Sequence, residues 1–269
     1  MARILDYRHQ PGYTRLAGVG TAGLEFLEFG VLRVPREQLQ HGEQGEREAV
    51  FVILSGACEV HLDGGRWEME RVSVFAEPAM AVYVPRHRRW AISASKPAEL
   101  AVYQAPAEGD FEPRLIVREQ VREQHLGAPS FRRRSFTIVG TEFPAGRLLV
   151  GETRVQPGAW ASYPPHKHDE DRFPEEVRLE EVAYFQVDPP QGFALQYVYT
   201  PDRALDEVHV VHNDQAVALA RGFHPVAGAP GYSLYYLWGL AGRGRTIRSV
   251  VDPAHAWVGE EARELDRAY

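Results

Sequence analysis

Short β-branched and aromatic runs, cut at close intervals by glycine, proline or aspartate, leave this chain of 269 residues few folds to adopt. In the first half they are Phe51-Val-Ile-Leu, Cys58-Glu-Val-His-Leu, Met80-Ala-Val-Tyr-Val and Leu100-Ala-Val-Tyr. In the second they are Arg147-Leu-Leu-Val-Gly, Val182-Ala-Tyr-Phe-Gln-Val, Phe193-Ala-Leu-Gln-Tyr-Val-Tyr and Tyr232-Ser-Leu-Tyr-Tyr-Leu. Such side chains suit a pleated, half-buried surface, so each run reads as a strand. The 24 glycines and 19 prolines favour tight turns between them over long helices. Helical signal is confined to Pro113–Gln124 and Gly259–Arg267. The expected class is all-β with a few short helices.

The runs fall into two similar halves. One holds Leu54-Ser-Gly-Ala-Cys-Glu-Val, read as a strand–Gly–strand hairpin, and then Val84-Pro-Arg-His-Arg-Arg-Trp. The other holds Val182-Ala-Tyr-Phe-Gln-Val-Asp-Pro-Pro-Gln-Gly-Phe and then Ala220-Arg-Gly-Phe-His-Pro-Val. Two small antiparallel barrels in tandem account for this pattern, with a joint in the Pro-, Gly- and charge-rich region Ala105–Pro129. The predicted organisation is an N-terminal barrel over 1–118, a connector over 119–145 and a C-terminal barrel over 146–269.

Composition narrows the function classes. Hydrophobic content of 44% and charged content of 25% are those of a globular protein with sizeable cores. No apolar run approaches the roughly 18–20 residues that span a bilayer. The segment Met1-Ala-Arg-Ile-Leu-Asp-Tyr-Arg lacks the apolar stretch of a secretion signal, so a cytoplasmic protein is expected. A net charge of −7 argues against general nucleic-acid binding, which needs excess cations to neutralise phosphates. Two basic runs, Arg86-His-Arg-Arg and Arg132-Arg133-Arg134, read as surface charge, with contact to an anionic substrate or a subunit partner as the alternative. Cys58 is the only cysteine, which excludes an intrachain disulfide and a thiolate metal cluster. It sits in a strand-like run and reads as inert packing.

The chemistry concentrates in Pro164-Pro165-His166-Lys167-His168. In an extended segment, side chains two residues apart share a face, so His166 and His168 point together and Lys167 points away. Two imidazoles, a later carboxylate and a third imidazole make a divalent-metal site. The carboxylate candidates are Glu180 and Glu181, which alternate faces so that only one can point inward. The third imidazole is His224, in Arg221-Gly-Phe-His-Pro-Val. His209 and His212 lie on opposite faces of one strand and read as structural, and His87 lacks nearby partners of the same kind.

This order of ligands resembles that of the cupin superfamily, whose small jelly-roll barrels hold a divalent ion inside. The resemblance implies a bicupin with its metal in the second barrel only. Cupin spacing favours Glu181, with Ala183, Phe185 and Val187 inward; a register one residue away selects Glu180, with Val182, Tyr184 and Gln186 inward. Generic cupins place the glutamate three or four residues after the second histidine, whereas here a polar stretch over 169–180 intervenes and is expected to loop over the barrel mouth.

More narrowly, the second half resembles the 5-deoxy-glucuronate isomerase family of inositol catabolism, related to the uronate ketol-isomerases. The matching stretches include Arg147-Leu-Leu-Val-Gly-Glu, Ser162-Tyr-Pro-Pro-His-Lys-His-Asp, Leu179-Glu-Glu-Val, Asp188-Pro-Pro-Gln-Gly-Phe-Ala, Arg221-Gly-Phe-His-Pro-Val and Asp252-Pro-Ala-His-Ala-Trp. The resemblance implies isomerisation of a small sugar acid, an aldose acid to a ketose acid, with one divalent ion (zinc or manganese) on His166, His168, His224 and Glu181 or Glu180. A proton shuttle is also required. Its candidates are an unligated glutamate, Tyr184 and Tyr236, the tyrosines fitting core packing as well. Three positions depart from the family pattern: Tyr197 where arginine is usual, Ala183 where tyrosine is usual and Trp238 where asparagine is usual. If that arginine grips the substrate carboxylate, Arg221, Arg243 or Arg245 would have to replace it. Ketol-isomerisation of another uronate, or non-catalytic binding of metal or sugar acid, are the alternative readings. Barrels with open sheet edges often associate, which leaves a homo-oligomer open.

Overall fold

The structure, a computed structural model, describes residues 2–259. The expected strands form, and they are longer and more interleaved than the sequence pattern suggests. The first, β1 (Arg3–Asp6), is followed by β2 (Gly12–Ala17), β3 (Glu28–Val34), β4 (Leu39–Glu43), β5 (Arg47–Leu62), β6 (Gly65–Arg71), β7 (Ala81–Val84), β8 (Arg89–Pro106) and β9 (Arg114–Ile116). Next come β10 (Arg122–Leu126), β11 (Arg133–Val139), β12 (Leu149–Val155), β13 (Trp160–Ala161), β14 (His166–Lys167) and β15 (Leu179–Asp188). The remainder are β16 (Phe193–Tyr199), β17 (Asp206–His212), β18 (Gln215–Leu219), β19 (Val226–Gly228), β20 (Ser233–Gly242) and β21 (Val250–Val251).

Strands β2 to β9 form one curled antiparallel sheet around a core that includes Phe51, Ile53, Val60, Val82, Ile92 and Val102. In the second half a seven-stranded sheet, β1-β18-β15-β20-β12-β11-β10, faces a four-stranded one, β13-β19-β16-β17. Ala183, Phe185, Ala194, Val198, Val211 and Tyr236 fill the space between them. The two large sheets then pack back to back through Phe29, Val50, Tyr103, Phe136, Tyr184 and Tyr235. Alternation along each strand divides these cores: on β15, Val182 and Tyr184 face the other half, while Ala183, Phe185 and Val187 face the second half's own interior.

Several expectations change here. Residues 113–124 are not helical but run through β9, a short 3₁₀ turn and the start of β10. The stretch 119–145 contributes two strands, β10 and β11, to the second half's sheet, and β1, from the opposite end of the chain, joins that same sheet beside β18. The Leu54-Ser-Gly hairpin is instead a bulge within the continuous strand β5. Gly56 takes φ +92°, and a Cβ there would lie 1.9 Å from the Pro97 carbonyl oxygen, so only glycine fits. Of the Gly259–Arg267 segment, residues 260–267 lie outside the described residues. No helix among the described residues is long and apolar enough to cross a membrane.

Buried charges join the halves reciprocally. Glu48 of β5 accepts the backbone N–H groups of Gly146, Arg147 and Leu148 at 2.6, 2.5 and 2.7 Å, and the Tyr83 hydroxyl at 2.7 Å. Glu180 of β15 accepts those of Glu25 and Phe26 at 2.7 Å each, and that of Leu27. Each half thus fastens the loop that leads into the other half's strand, β12 or β3. Between these clasps Arg71 and Glu152, both fully buried, pair at 2.8 Å. Arg71 also donates to the Ile53 and Glu77 carbonyls, and the Tyr235 hydroxyl donates to Glu152.

Candidate metal centre

Three separate segments bring the predicted imidazoles together. His166 and His168 come from β14 and its end, and His224 from the turn before β19; one ring nitrogen of each lies within 4.8 Å of the others. Strand β14 is held by β21, with His166 opposite Val251, and the Asp252 N–H donates to the Pro165 carbonyl. The Tyr199 hydroxyl in turn donates to the buried Asp252 carboxylate at 2.6 Å. Lys167 faces away, as alternation requires. Its ammonium donates to Asp169, Glu170 and Glu176, and Glu176 also accepts the N–H groups of Asp169 and Glu170 and a bond from Arg172. The polar 169–178 stretch therefore folds around a single buried carboxylate and sets the end of the His-x-His segment.

Of the paired glutamates, Glu181 reaches the imidazoles. Its Oε2 lies 3.3 Å from His168 Nε2 and 3.5 Å from His224 Nε2. Glu180 is on the opposite face, committed to the clasp on residues 25–27.

The outer ring contacts fix which nitrogen is left. His168 Nδ1 bonds the Leu179 carbonyl at 2.7 Å and His224 Nδ1 the Gly222 carbonyl at 2.9 Å. Backbone partners of this kind orient metal-ligating histidines and fix their tautomer. His224 Nε2 is buried with no hydrogen-bond partner among the protein atoms, a cost of about 1–3 kcal/mol unless something else occupies it. Ligands about 2.1 Å from a shared ion stand roughly 3–3.5 Å apart, as Glu181 does from His168 and His224. The donor set fits a divalent cation.

Electrostatics agree. Burial, reinforced by His224 and His168, drives His166 well below the ordinary imidazole value, and burial also lowers His224. For His168 burial acts downward most strongly, but the hydrogen bond to Glu181, that carboxylate's charge and the Leu179 carbonyl together raise the value. Burial acts upward on Glu181, yet the His168 bond and neighbouring imidazoles hold its carboxyl below the usual range. For His166, His224 and Glu181 the shifts favour the neutral rings and ionised carboxylate that ligate.

The tyrosine candidates separate. Tyr236 sits on the Glu181 face, its hydroxyl 3.4 Å from Ser162 Oγ, and burial raises its value so that it keeps its proton. Tyr184 is not brought to the site: it faces the other half, packs near Phe29 and donates to Asp214 at 2.7 Å. Both faces of β15 are buried, so hydrophobicity alone could not tell them apart.

The departures from the family pattern also sort by face. Tyr197 lies outside the barrel, donating to Asp206 and accepting from Arg203. Ala183 and Trp238 are direct cross-strand partners on the face of β15 that carries Glu181. The indole lies over Gly151, where a Cβ would come within 2.1 Å of it, and donates to Thr153 at 3.3 Å. Small residues on both flanks thus make room for one large ring.

Sequence reasoning reads Arg133 first as surface charge, with contact to an anionic substrate as the alternative, and does not single it out within its run. It lies in the triple-arginine run, donates to the Phe131 and Tyr163 carbonyls at 3.4 and 3.3 Å, and its charge acts on both His166 and Tyr236. Alternation along β11 separates it from Arg134, which stacks over Phe136 on the opposite face. Arg245 is occupied by the carbonyls of Gly140, Phe143 and Leu148. His209 pairs with Glu207 on β17, and His87 lies near Glu46, so neither joins the cluster.

Residues 10–258 match the KduI/IolB family. The chain belongs to that family. A 5-deoxy-glucuronate isomerase of Geobacillus thermodenitrificans is 39% identical over 266 residues, covering 97% of each chain. That of Bacillus subtilis strain 168 is 38% identical, covering 88% of this chain and 89% of the relative. A solved IolB-like protein from Salmonella typhimurium LT2 superposes with a TM-score of 0.91 at 35% identity, over 95% of this chain and 98% of that one. The oxalate decarboxylase of Lactobacillus farciminis has a TM-score of 0.65 at 11% identity, over 92% and 86% of the chains, which is a likeness of fold. Within the KduI/IolB family, then, this chain carries a cluster of three histidines with Glu181 beside two of them.

Proposed function

We propose that this chain is a bicupin, metal-dependent aldose–ketose isomerase converting 5-deoxy-D-glucuronate to 5-dehydro-2-deoxy-D-gluconate in inositol catabolism. The observation that supports the reading is the grouping of His166, His168 and His224, with Glu181 beside the latter two and a buried imidazole nitrogen of His224 without a hydrogen-bond partner. Similarity to enzymes of that name over most of the chain supports the substrate. A divalent ion held by these four residues, zinc or manganese by donor type, would polarise a carbonyl and its neighbouring hydroxyl and stabilise the enediolate charge. The reaction moves a proton from the carbon beside the aldehyde onto the aldehyde carbon. Tyr236, protonated and hydrogen-bonded to Ser162, is placed to donate to a substrate oxygen as charge develops there. Arg133, at the same end of the barrel, is placed to bind the substrate carboxylate.

Incubation of metal-loaded protein with 5-deoxy-glucuronate in D₂O, followed by NMR, is expected to show the ketose together with solvent deuterium at the transferred position. Bound metal without turnover would sink the assignment. Turnover of a different uronate alone would move it to another ketol-isomerase. For Arg133→Ala, loss of a charged hydrogen bond of about 1.5–3 kcal/mol predicts KM raised roughly 10- to 150-fold. The metal content stays unchanged; an unaltered KM would remove Arg133 from the carboxylate role.

A further inference from the structure

Strand β17 closes one edge of the four-stranded sheet and has a partner, β16, on one side only. Backbone phase tells which of its groups face outward. On β16 the N–H groups of Tyr197 and Tyr199 donate to the Pro225 and Phe223 carbonyls, and the Phe193 carbonyl accepts from Ala229, all on the side away from β17. Hydrogen bonding to β17 therefore runs through Ala194, Gln196 and Val198, opposite Val211, His209 and Glu207. The N–H and C=O groups of Val208 and Val210 are left pointing to the free edge. Their side chains are 61% and 48% exposed, and Phe193, on the same face of β16, is 40% exposed. Other edges carry charge: β10 presents Arg122, Glu123 and His125, and β6 presents Arg66, Glu68 and Glu70. Strand β17 has no lysine, arginine or proline of the kind that blunts edge pairing.

We propose that β17 pairs antiparallel with β17 of a second copy of this chain, across a two-fold axis at His209, joining two four-stranded sheets into one. An isologous contact of this kind must be self-complementary. In this register Val208 faces Val210 and Asp206 faces His212, each twice, giving apolar pairs at the centre and a carboxylate opposite an imidazole at either end. The Tyr197 hydroxyl, 2.7 Å from Asp206, already holds that carboxylate in place. A slip of one residue would set outward-facing backbone groups against inward-facing ones. A slip of two would put Asp206 against Val210 or His212 against Val208.

Sedimentation velocity on the full chain is expected to give a dimer at micromolar concentration. The variant Val208→Lys/Val210→Lys, which places lysines on both sides of the axis, is expected to be monomeric with unchanged circular dichroism. His209→Cys gives an independent readout. Its two thiols would meet in a non-hydrogen-bonded pair, close enough for a disulfide, so mild oxidation should yield a covalent dimer. A wild-type monomer at that concentration, a dimer that survives the lysines, or a dimeric His209→Cys chain that never cross-links overturns the proposal. Capture of an extended peptide by a monomeric chain would assign the edge to another partner and overturn it equally.

Discussion

Replacing His224 by alanine is expected to strip the protein of divalent metal and lower isomerase turnover by at least about 100-fold, the upper end of what loss of an outer-shell partner costs a metal site. The imidazole projects from a turn, its Nδ1 already satisfied by the Gly222 carbonyl, and its buried Nε2, 3.5 Å from Glu181, makes no hydrogen bond. Removing it deletes a candidate ligand that belongs to none of the three large hydrophobic clusters. Metal analysis of desalted protein and the NMR assay report the two losses separately. Tyr184→Phe serves as the contrast: its hydroxyl bonds Asp214 on the far side of β15, so turnover is expected to stay at the wild-type level. A His224→Ala protein that retains stoichiometric metal would remove His224 from the ligand set.

Glu152→Ala is expected to cost about 3–5 kcal/mol of stability, because it strands Arg71 as an unpaired buried charge between the halves. At roughly 2–4 °C per kcal/mol for a chain of this size, the melting temperature should fall on the order of 10 °C. The loss comes from isolation of the guanidinium rather than from any special strength of the ion pair. Pairing Glu152→Leu with Arg71→Met should therefore recover most of the stability. Thermal unfolding of the three proteins tests this; a single variant that melts with the wild type would show that water reaches Arg71.

Much of this was readable from residue order. The strand runs gave the class, and His166, Lys167 and His168 followed from period-two alternation alone. The choice between Glu180 and Glu181 was harder, because the deciding contact of Glu180 lies more than 150 residues away in the chain, at Glu25, Phe26 and Leu27. Tyr184 was misplaced as a site residue for a related reason. Strand β15 packs on both faces, so its apolar pattern carries no inside or outside. The stretch 113–124, expected to be helical, is instead divided among β9, a 3₁₀ turn and the start of the exposed edge strand β10. Arg133 was hidden between two like neighbours, and only the register of β11 on β12 separates its face from theirs. Tyr197 shows the converse. A departure that seemed to bear on the substrate lies on the outside of the barrel, bonded to Asp206.

The reciprocal clasps have a consequence for inheritance as well as for folding. Glu180, which ties down the first half's entry loop, is the chain neighbour of Glu181, which faces His168 and His224. Any substitution that moves residues 25–27 therefore shifts the backbone that carries the acidic donor, although none of those residues approaches the imidazoles. At the corresponding place in the other half, beside the clasp carboxylate Glu48, stands Ala49, buried and unable to ligate. The half without the candidate ligands is thus not free to drift. Its sequence is tied to the strand that carries the candidate acidic donor.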